Sequence, residues 1–412
     1  MALLAFNRPD LPRHHRCAAD LCHPMPTIES DGTNSLVMDM FTAQRDMVCL
    51  AVVEGPRPIG LINRNIFMSQ MSKPFHRELY DRKSCIAFMD KDPLIVDAAM
   101  SIEALTFKTL EFGEKAMADG FIVTRDGAFI GLGSGLELMG VVAAMQAEKN
   151  RQTMQSIEYA SVIQRAMLRA SRETLTATLP DAVLQWEPRD VVGGDFYHFV
   201  THEDGWFGAV ADCTGHGVPG AFMTLIASSS LTQALAQIGP RDPAALLSAV
   251  NRSVKNLLGQ VKGVDETPES DDGLDAAFFW YDAARAELVY AGARVALHVL
   301  QPDDQQFTSL AGQRMGVGYV DSDEDYEWTQ STLVLQSGSL LFITTDGLTD
   351  QIGGPRNIAF GKRRACELIL EHRHQPTARI CEALLGALAN WQGEQPRRDD
   401  LTFFCARLQE KP

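Results

Sequence analysis

Hydrophobic and polar positions divide the chain into stretches of different texture. From residue 36 to 140, short apolar runs of strand character alternate with helical patterns, and the same alternation returns on a larger scale from 182 to 410. Residues 1–35 contain Pro9, Pro12, Pro24 and Pro26, which break regular elements, and read as an irregular tail. Between the patterned regions, the polar stretch 145–171 has neither Gly nor Pro and predicts one helix inside a linker over 141–181. Along it Met154, Ile157, Ser161, Gln164 and Leu168 recur at steps of three and four, beside a stripe of Ala160, Ile163, Met167 and Ala170. The polar members make this a weak heptad seam. It predicts a coiled coil that carries signals between domains in a dimer, because a weak seam can hold two packings of similar energy. The plainer alternative is a spacer helix packed on one domain.

The region 36–140 repeats itself. Cys49–Glu54 (CLAVVE) predicts a strand, Gly55-Pro56 a turn, Pro58 to Ile62 a second strand and Asn65 to Met71 a helix. The order recurs at GFIV (120–123), the turn Asp126-Gly127, FIGL (129–132) and a helix from about Ser134, led in by DPLIVDAA (92–99). This doubled pattern resembles a tandem pair of cystathionine-beta-synthase (CBS) domains over about 100 residues. The resemblance implies an α/β regulatory module that binds an adenine nucleotide between its repeats. A purely structural dimerisation role is the alternative.

Composition narrows the function. The chain has 412 residues, 37 Lys and Arg against 53 Asp and Glu, and a net charge of −16. That balance argues against a nucleic-acid binder, which shows a basic footprint. No apolar run reaches the roughly 18 residues needed to span a bilayer, and the opening MALLAF is too short for a signal peptide. Both point to a cytoplasmic protein, in which the eight scattered cysteines read as reduced thiols. His14, His15, Cys17, Cys22 and His23 are zinc-type ligands, but their spacing fits no standard template and reads as part of the tail.

The acidic residues that carry chemistry are few. Asp195 follows VVGG; Asp212 ends the apolar run WFGAVA (206–211); Asp346 ends SLLFITT (339–345); Asp399 and Asp400 precede LTFFC (401–405). A single Asp beside a strand is usually a turn residue. Four at the mouths of apolar strands would repel one another unless a cation intervened. Oxygen ligands of this kind suit Mg²⁺ or Mn²⁺ rather than zinc. Two such ions about 4 Å apart polarise phosphoryl oxygens and supply the attacking water as hydroxide at neutral pH. No side-chain nucleophile is then required, and the chain has neither a G-x-S-x-G elbow nor a phosphate-binding G-x-x-x-x-G-K-[ST] loop. The remaining acid, including Asp265, Glu266, Glu269, Asp271, Asp272 and Asp275, reads as solvated loop.

The motifs VVGGDFY, ADCTGHGVPGAFMT, ITTDGLTD and RRDDLTF stand in the order and spacing of the bacterial metal-dependent protein phosphatases (PPM, type 2C), in particular the subgroup of sporulation protein E. IEYASVIQRAML (157–168) resembles the linker before many such domains. The resemblance implies an α+β protein with an α-β-β-α sandwich over 182–410, two Mn²⁺ or Mg²⁺ ions and hydrolysis of phosphoserine or phosphothreonine in proteins. It implies that Asp212 bridges the ions, the Cys213 carbonyl takes a place usually held by glycine, Asp195 binds the second ion, and Asp346 and Asp399 bind the first. Asp400 is the alternative at the last position. Arg189, His216 and Gly217 are the candidates for contacting substrate, with a loop-fixing hydrogen bond the alternative for His216. The substrate it implies is a phosphorylated STAS-type anti-sigma-factor antagonist in a partner-switching pathway. Two features depart from the pattern. Cys213 brings a thiol open to oxidation, and the strand pair over 288–300 carries Gly292-Ala293-Arg294 where relatives show Gly-His-Asn. Two other readings stand beside this one. GGDF (193–196) resembles the loop of diguanylate cyclases but has Phe196 where a second acid is needed, and a non-catalytic CBS-based sensor would have a silent phosphatase fold.

Overall fold

The computed structural model describes residues 17–261 and 270–409. The chain divides into two units, Met1–Thr153 and Met154–Pro412. The first holds two three-stranded sheets of one topology. They are β1 (Thr27–Glu29), β2 (Cys49–Glu54) and β3 (Arg57–Asn63), then β4 (Ile95–Asp97), β5 (Phe121–Arg125) and β6 (Ala128–Gly133). In each, the leading strand runs parallel to the next, and a tight hairpin reverses the chain into the third. The second hairpin turns at Asp126 and Gly127, with φ of +53° and +78°, a conformation that an Asp-Gly pair adopts at little cost. Helices α1 (Asn34–Ala43), α2 (Arg64–Met71) and α3 (His76–Tyr80) accompany the first sheet, and α4 (Ile102–Phe112) and α5 (Glu114–Asp119) the second. Phe41 and Phe67 fill the first core, Leu105 and Phe121 the second.

The tail expected over 1–35 is a correction for its described part. Ile28 of β1 is buried beside Phe41 and Val52, and Ala18 and Leu21 are fully buried in a 3-10 turn (Ala18–Leu21) against the second core. Pro24 and Pro26 precede β1, where the missing N–H costs no ladder bond. Among the described residues no zinc-type group of ligands is assembled. His14 and His15 lie outside the described residues, and the His23 ring meets Glu137 at 2.7 Å.

Helix α6 (Gly135–Thr178) runs from the first unit into the second as one element of 44 residues, so the helix expected near Ser134 and the polar stretch 145–171 are continuous. Within the second unit its seam packs on that unit's core: Ser161, Gln164, Leu168, Ser171 and Leu175 are buried, whereas Met154 and Ile163 are exposed. The polar members that weaken the heptad are therefore buried within one chain, which is the plainer of the two readings for this part of the helix.

After α6 the chain forms β7 (Ala182–Glu187), β8 (Asp195–His202), β9 (Gly205–Cys213), α7 (Gly217–Ile238), α8 (Pro243–Leu258), β10 (Leu274–Asp282), β11 (Glu287–Ala293), β12 (Leu297–Leu300), β13 (Thr308–Leu310), β14 (Ser331–Val334) and β15 (Leu340–Thr344). Then come the short α9 (Asp346–Thr349), a small hairpin of β16 (Ile352–Gly353) and β17 (Ile358–Ala359), α10 (Lys362–Glu371), α11 (Thr377–Gln392) and β18 (Leu401–Arg407). Two antiparallel sheets result, ordered β14-β11-β10-β9-β8 and β13-β12-β15-β18-β7. Period-two alternation decides what each face buries. In β9, Trp206 and Val210 point into the layer between the sheets with Phe279 and Phe404, while Phe207, Ala209 and Ala211 face α7 and α8. On the outer face of the other sheet, Phe342 and Phe403 pack with Ile380, Leu384 and Leu388 of α11. The order of layers is α-β-β-α. The strand pair expected over 288–300 is not a hairpin, because β11 and β12 lie in different sheets and Arg294, at φ +60°, turns the chain from one to the other.

Candidate active site

Antiparallel register brings three carboxylates side by side at one end of the first sheet. Asp195 opens β8 and is opposite Asp212 of β9, which is opposite Asp275 of β10. Directly opposed residues on one face have Cβ atoms about 5 Å apart, and like charges there are destabilising. From the second sheet, Asp346 begins α9 where β15 ends, and Asp399 precedes β18. Thr345 ties the sheets together: its hydroxyl donates to Asp195 Oδ2 at 2.8 Å and accepts from the Thr402 amide at 3.1 Å. The structure thus gathers Asp195, Asp212, Asp346 and Asp399, and adds Asp275, which the sequence reading left in a solvated loop. That is a correction with a visible cause. The reading grouped Asp275 with the acidic run before it, Asp265 to Asp272, although it begins the apolar run AAFFWY.

A second set of bonds holds the loop that leads into Asp195. Gln164 of α6 donates to the Gly193 carbonyl at 2.7 Å and accepts from its amide at 3.2 Å. The Thr224 hydroxyl of α7 lies 3.2 Å from the Gly193 carbonyl and 3.0 Å from that of Gly194. Trp186 Nε1 donates to the Asp195 carbonyl at 2.9 Å. Asp400, almost fully buried, accepts the amides of Arg189 and Gly194 at 2.5 Å each. Its carboxylate is committed to this loop, whereas Asp399 stands close enough to Asp212 and Asp346 to raise both. Gly194 admits no side chain, since a Cβ would come within 2.4 Å of the Gly215 carbonyl and 2.8 Å of that of Cys213.

Burial and mutual repulsion dominate the electrostatics. Burial pushes Asp195 up to about 8, with Asp400 adding to it. Burial, then Asp195, Asp346 and Asp399, hold Asp212 well above the usual carboxylate range. Asp346 is raised by burial and by Asp399. Asp275 is pushed up to about 6 by burial, against the pull of Arg294, whose Nη1 lies 3.3 Å away. As they stand, no three His, Cys, Asp or Glu side chains among the described residues close around one point. The donor set nevertheless suits a hard divalent cation. All its side-chain atoms are oxygens, and Asp195 Oδ1 is buried without a hydrogen-bond partner.

These shifts make stability depend on pH. A carboxyl raised in the fold keeps a proton that the unfolded chain gives up near pH 4. Its contribution is complete below that value and is lost as the pH rises through the folded value, about 8 for Asp195. The melting temperature of metal-free protein is therefore expected to fall by several degrees between about pH 5 and about pH 8, and Asp195→Asn to flatten that slope. Differential scanning calorimetry at both pH values checks this; identical slopes for the two proteins would contradict it.

The remaining candidates are placed as follows. His216 is the N-cap of α7, and its Nδ1 lies 2.8 Å from Asp190, the loop-fixing contact that was its alternative reading. Gly217 has φ +63°, which favours glycine. The Arg189 guanidinium is drawn to the Arg398 carbonyl at 3.0 Å. The Cys213 side chain is buried in the core beneath α7, and burial pushes its thiol well up, so the expected oxidation site is closed. Arg294 stacks over Tyr319 at 4.8 Å as well as pairing with Asp275.

Comparison with known proteins agrees with this architecture. Residues 202–409 match the family of stage II sporulation protein E (SpoIIE), a span that contains Asp212, Asp346 and Asp399. The PP2C domain of SiaA from Pseudomonas aeruginosa is 36% identical, with a TM-score of 0.57; the alignment covers 64% of this chain and all of that one. The phosphatase domain and regulatory fragment of SpoIIE from Bacillus subtilis is 15% identical over 56% of this chain and 62% of that one, with a TM-score of 0.45. No curated protein matches the sequence. With half of its length matched and a whole phosphatase domain aligned at this identity, the chain belongs to the stage II sporulation protein E family and is a PP2C-type serine/threonine protein phosphatase.

Proposed function

We propose that residues 182–410 hold two Mn²⁺ or Mg²⁺ ions and hydrolyse phosphoserine or phosphothreonine in a STAS-type anti-sigma-factor antagonist. One observation carries the reading: Asp195, Asp212, Asp346 and Asp399 come from both sheets close enough to act on one another's charge, and Asp195 Oδ1 is buried there without a hydrogen-bond partner. Asp212, at the centre of the row, would hold the ions together with Asp195, the Cys213 carbonyl, Asp346 and Asp399. When bound, the ions supply Lewis acidity and an activated water. The protein's own residues position these ligands: Thr345 and Trp186 hold Asp195, and Asp400 and Gln164 hold the loop before it. No side chain caps the N-terminus of α7, so the amides near Gly217, with the His216 ring held there by Asp190, would suit an incoming phosphate, and Arg189 is the further candidate for contacting it.

The N-terminal unit is read as the CBS pair, over 36–140 with β1 added, that binds an adenine nucleotide and sets activity through α6 in a homodimer. Support comes from its two sheets of equal topology, which share a core of Leu61 and Ile122. A cytoplasmic location belongs to the same reading; no helix among the described residues is long and apolar enough to cross a membrane.

The test is Mn²⁺-dependent phosphate release from a phosphorylated STAS-domain antagonist, with and without adenine nucleotide. Asp399→Asn is expected to lower kcat by about a thousandfold with little change in melting temperature, and Asp400→Asn to lower the melting temperature as well. Full activity in Asp399→Asn would refute the ligand assignment. Absence of release from the wild type would favour a silent, CBS-based sensor, and indifference to nucleotide would remove the regulatory role.

A further inference from the structure

An acidic chain carries one concentrated basic groove. Arg165, Arg169 and Arg172 of α6, with Arg189 and Arg397, line a cavity of about 670 Å³, and Glu187 is the one carboxylate among its described lining residues. The three helical arginines recur at i, i+4 and i+7, so they share one face of α6 over about 10 Å of helix. Their own contacts leave capacity to spare. Arg165 bonds back to Ser161 within the helix, the Arg169–Glu173 pair is long at 3.8 Å and largely exposed, and Arg397 takes up Glu187.

Trp186 and Tyr197, the latter almost fully buried and engaged by Arg172, give the same cavity an aromatic wall. That wall borders the active site: the Trp186 indole bonds the Asp195 carbonyl, and the amide of Arg189 bonds Asp400. A single phosphate would engage one or two guanidinium groups. A row of this length, interleaved with aromatic surface, fits an extended segment that carries several carboxylates and an apolar side chain. In a protein of net charge −16, an acidic partner is repelled over most of the surface, and a local basic groove orients its approach.

We propose that this groove binds an acidic segment of the phosphoprotein substrate, beside the phosphoryl site. The word substrate rests on the phosphatase reading above; the groove's preference for acidic peptide does not.

The test titrates the full chain at low salt with a fluorescent peptide holding one phosphoserine and a run of glutamates, and with its alanine counterpart. The wild type is expected to bind the acidic peptide about tenfold more tightly, with the preference fading as salt is added. Arg165→Gln/Arg172→Gln is expected to abolish the preference, and Arg165→Lys/Arg172→Lys to retain most of it, which separates lost charge from lost fold. Equal binding of the two peptides by the wild type, or an undiminished preference in the glutamine variant, overturns the proposal. So does ATP binding that depends on these arginines while the acidic peptide is not bound. With Mn²⁺ present, no phosphate release from either peptide despite an intact, arginine-dependent preference overturns the phosphatase reading and leaves the acidic-peptide site standing.

Discussion

Asp212→Asn is expected to abolish metal-dependent phosphate release, by a factor of about a thousand or more, while making metal-free protein more stable than the wild type. The two effects have one origin. Asp212 is flanked across the sheet by Asp195 and Asp275 and faces Asp346 and Asp399 from the other sheet. Asparagine keeps its shape but removes the central charge, so repulsion among the remaining carboxylates weakens and the neutral side chain costs less to bury. The same change removes the central anionic ligand from the residues that would hold the cations. Thermal melts with and without Mn²⁺ check this beside the activity assay. Wild type should gain several degrees from Mn²⁺ by mass action, and the variant far less. A variant that keeps both the activity and the full Mn²⁺ shift would show that Asp212 is not central to the site.

Gln164→Leu is expected to lower kcat about a hundredfold and to destabilise the protein by about 2 kcal/mol, although Gln164 is on the helix preceding the phosphatase domain and holds no candidate ligand position. Leucine fills much of the volume but forms neither hydrogen bond to Gly193. The Gly193 carbonyl retains Thr224, while its buried amide is left without its partner. That loop also supplies the Gly194 amide to Asp400 and leads directly into Asp195, so a displacement of an ångström moves one of the carboxylates proposed to hold metal. Steady-state kinetics should show the loss chiefly in kcat, because the site that contacts substrate is unaltered. A kcat within twofold of wild type, at a melting temperature lowered as expected, would mean that the loop is held without α6.

Much of this site is legible in the residues themselves, because local chemistry writes it. An apolar run marks a buried strand, a Gly or Asp beside it marks the turn at its mouth, and the motifs from VVGGDFY to RRDDLTF lie on such junctions in chain order. The doubled strand–turn–strand pattern of the N-terminal unit is equally local, and so is the helix through 145–171. Where prolines were weighted above Ile28, Ala18 and Leu21, the reading missed β1 and the 3-10 turn, since whether a short apolar stretch is buried depends on partners elsewhere in the chain.

The sequence by itself determined which carboxylates end or begin buried strands, and thus the class of chemistry. The tertiary structure alone decided how they are shared out. Strand register, which no local pattern specifies, sets Asp275 level with Asp212 and Asp195. Of two adjacent acids, Asp400 is spent on the amides of Arg189 and Gly194, leaving Asp399 to face the row. The polar residues that look like flaws in a heptad prove to be buried, with Gln164 bonded to Gly193 from a position 29 residues earlier in the chain. Each of these outcomes turns on pairing between distant segments, where burial makes every hydrogen bond and charge count.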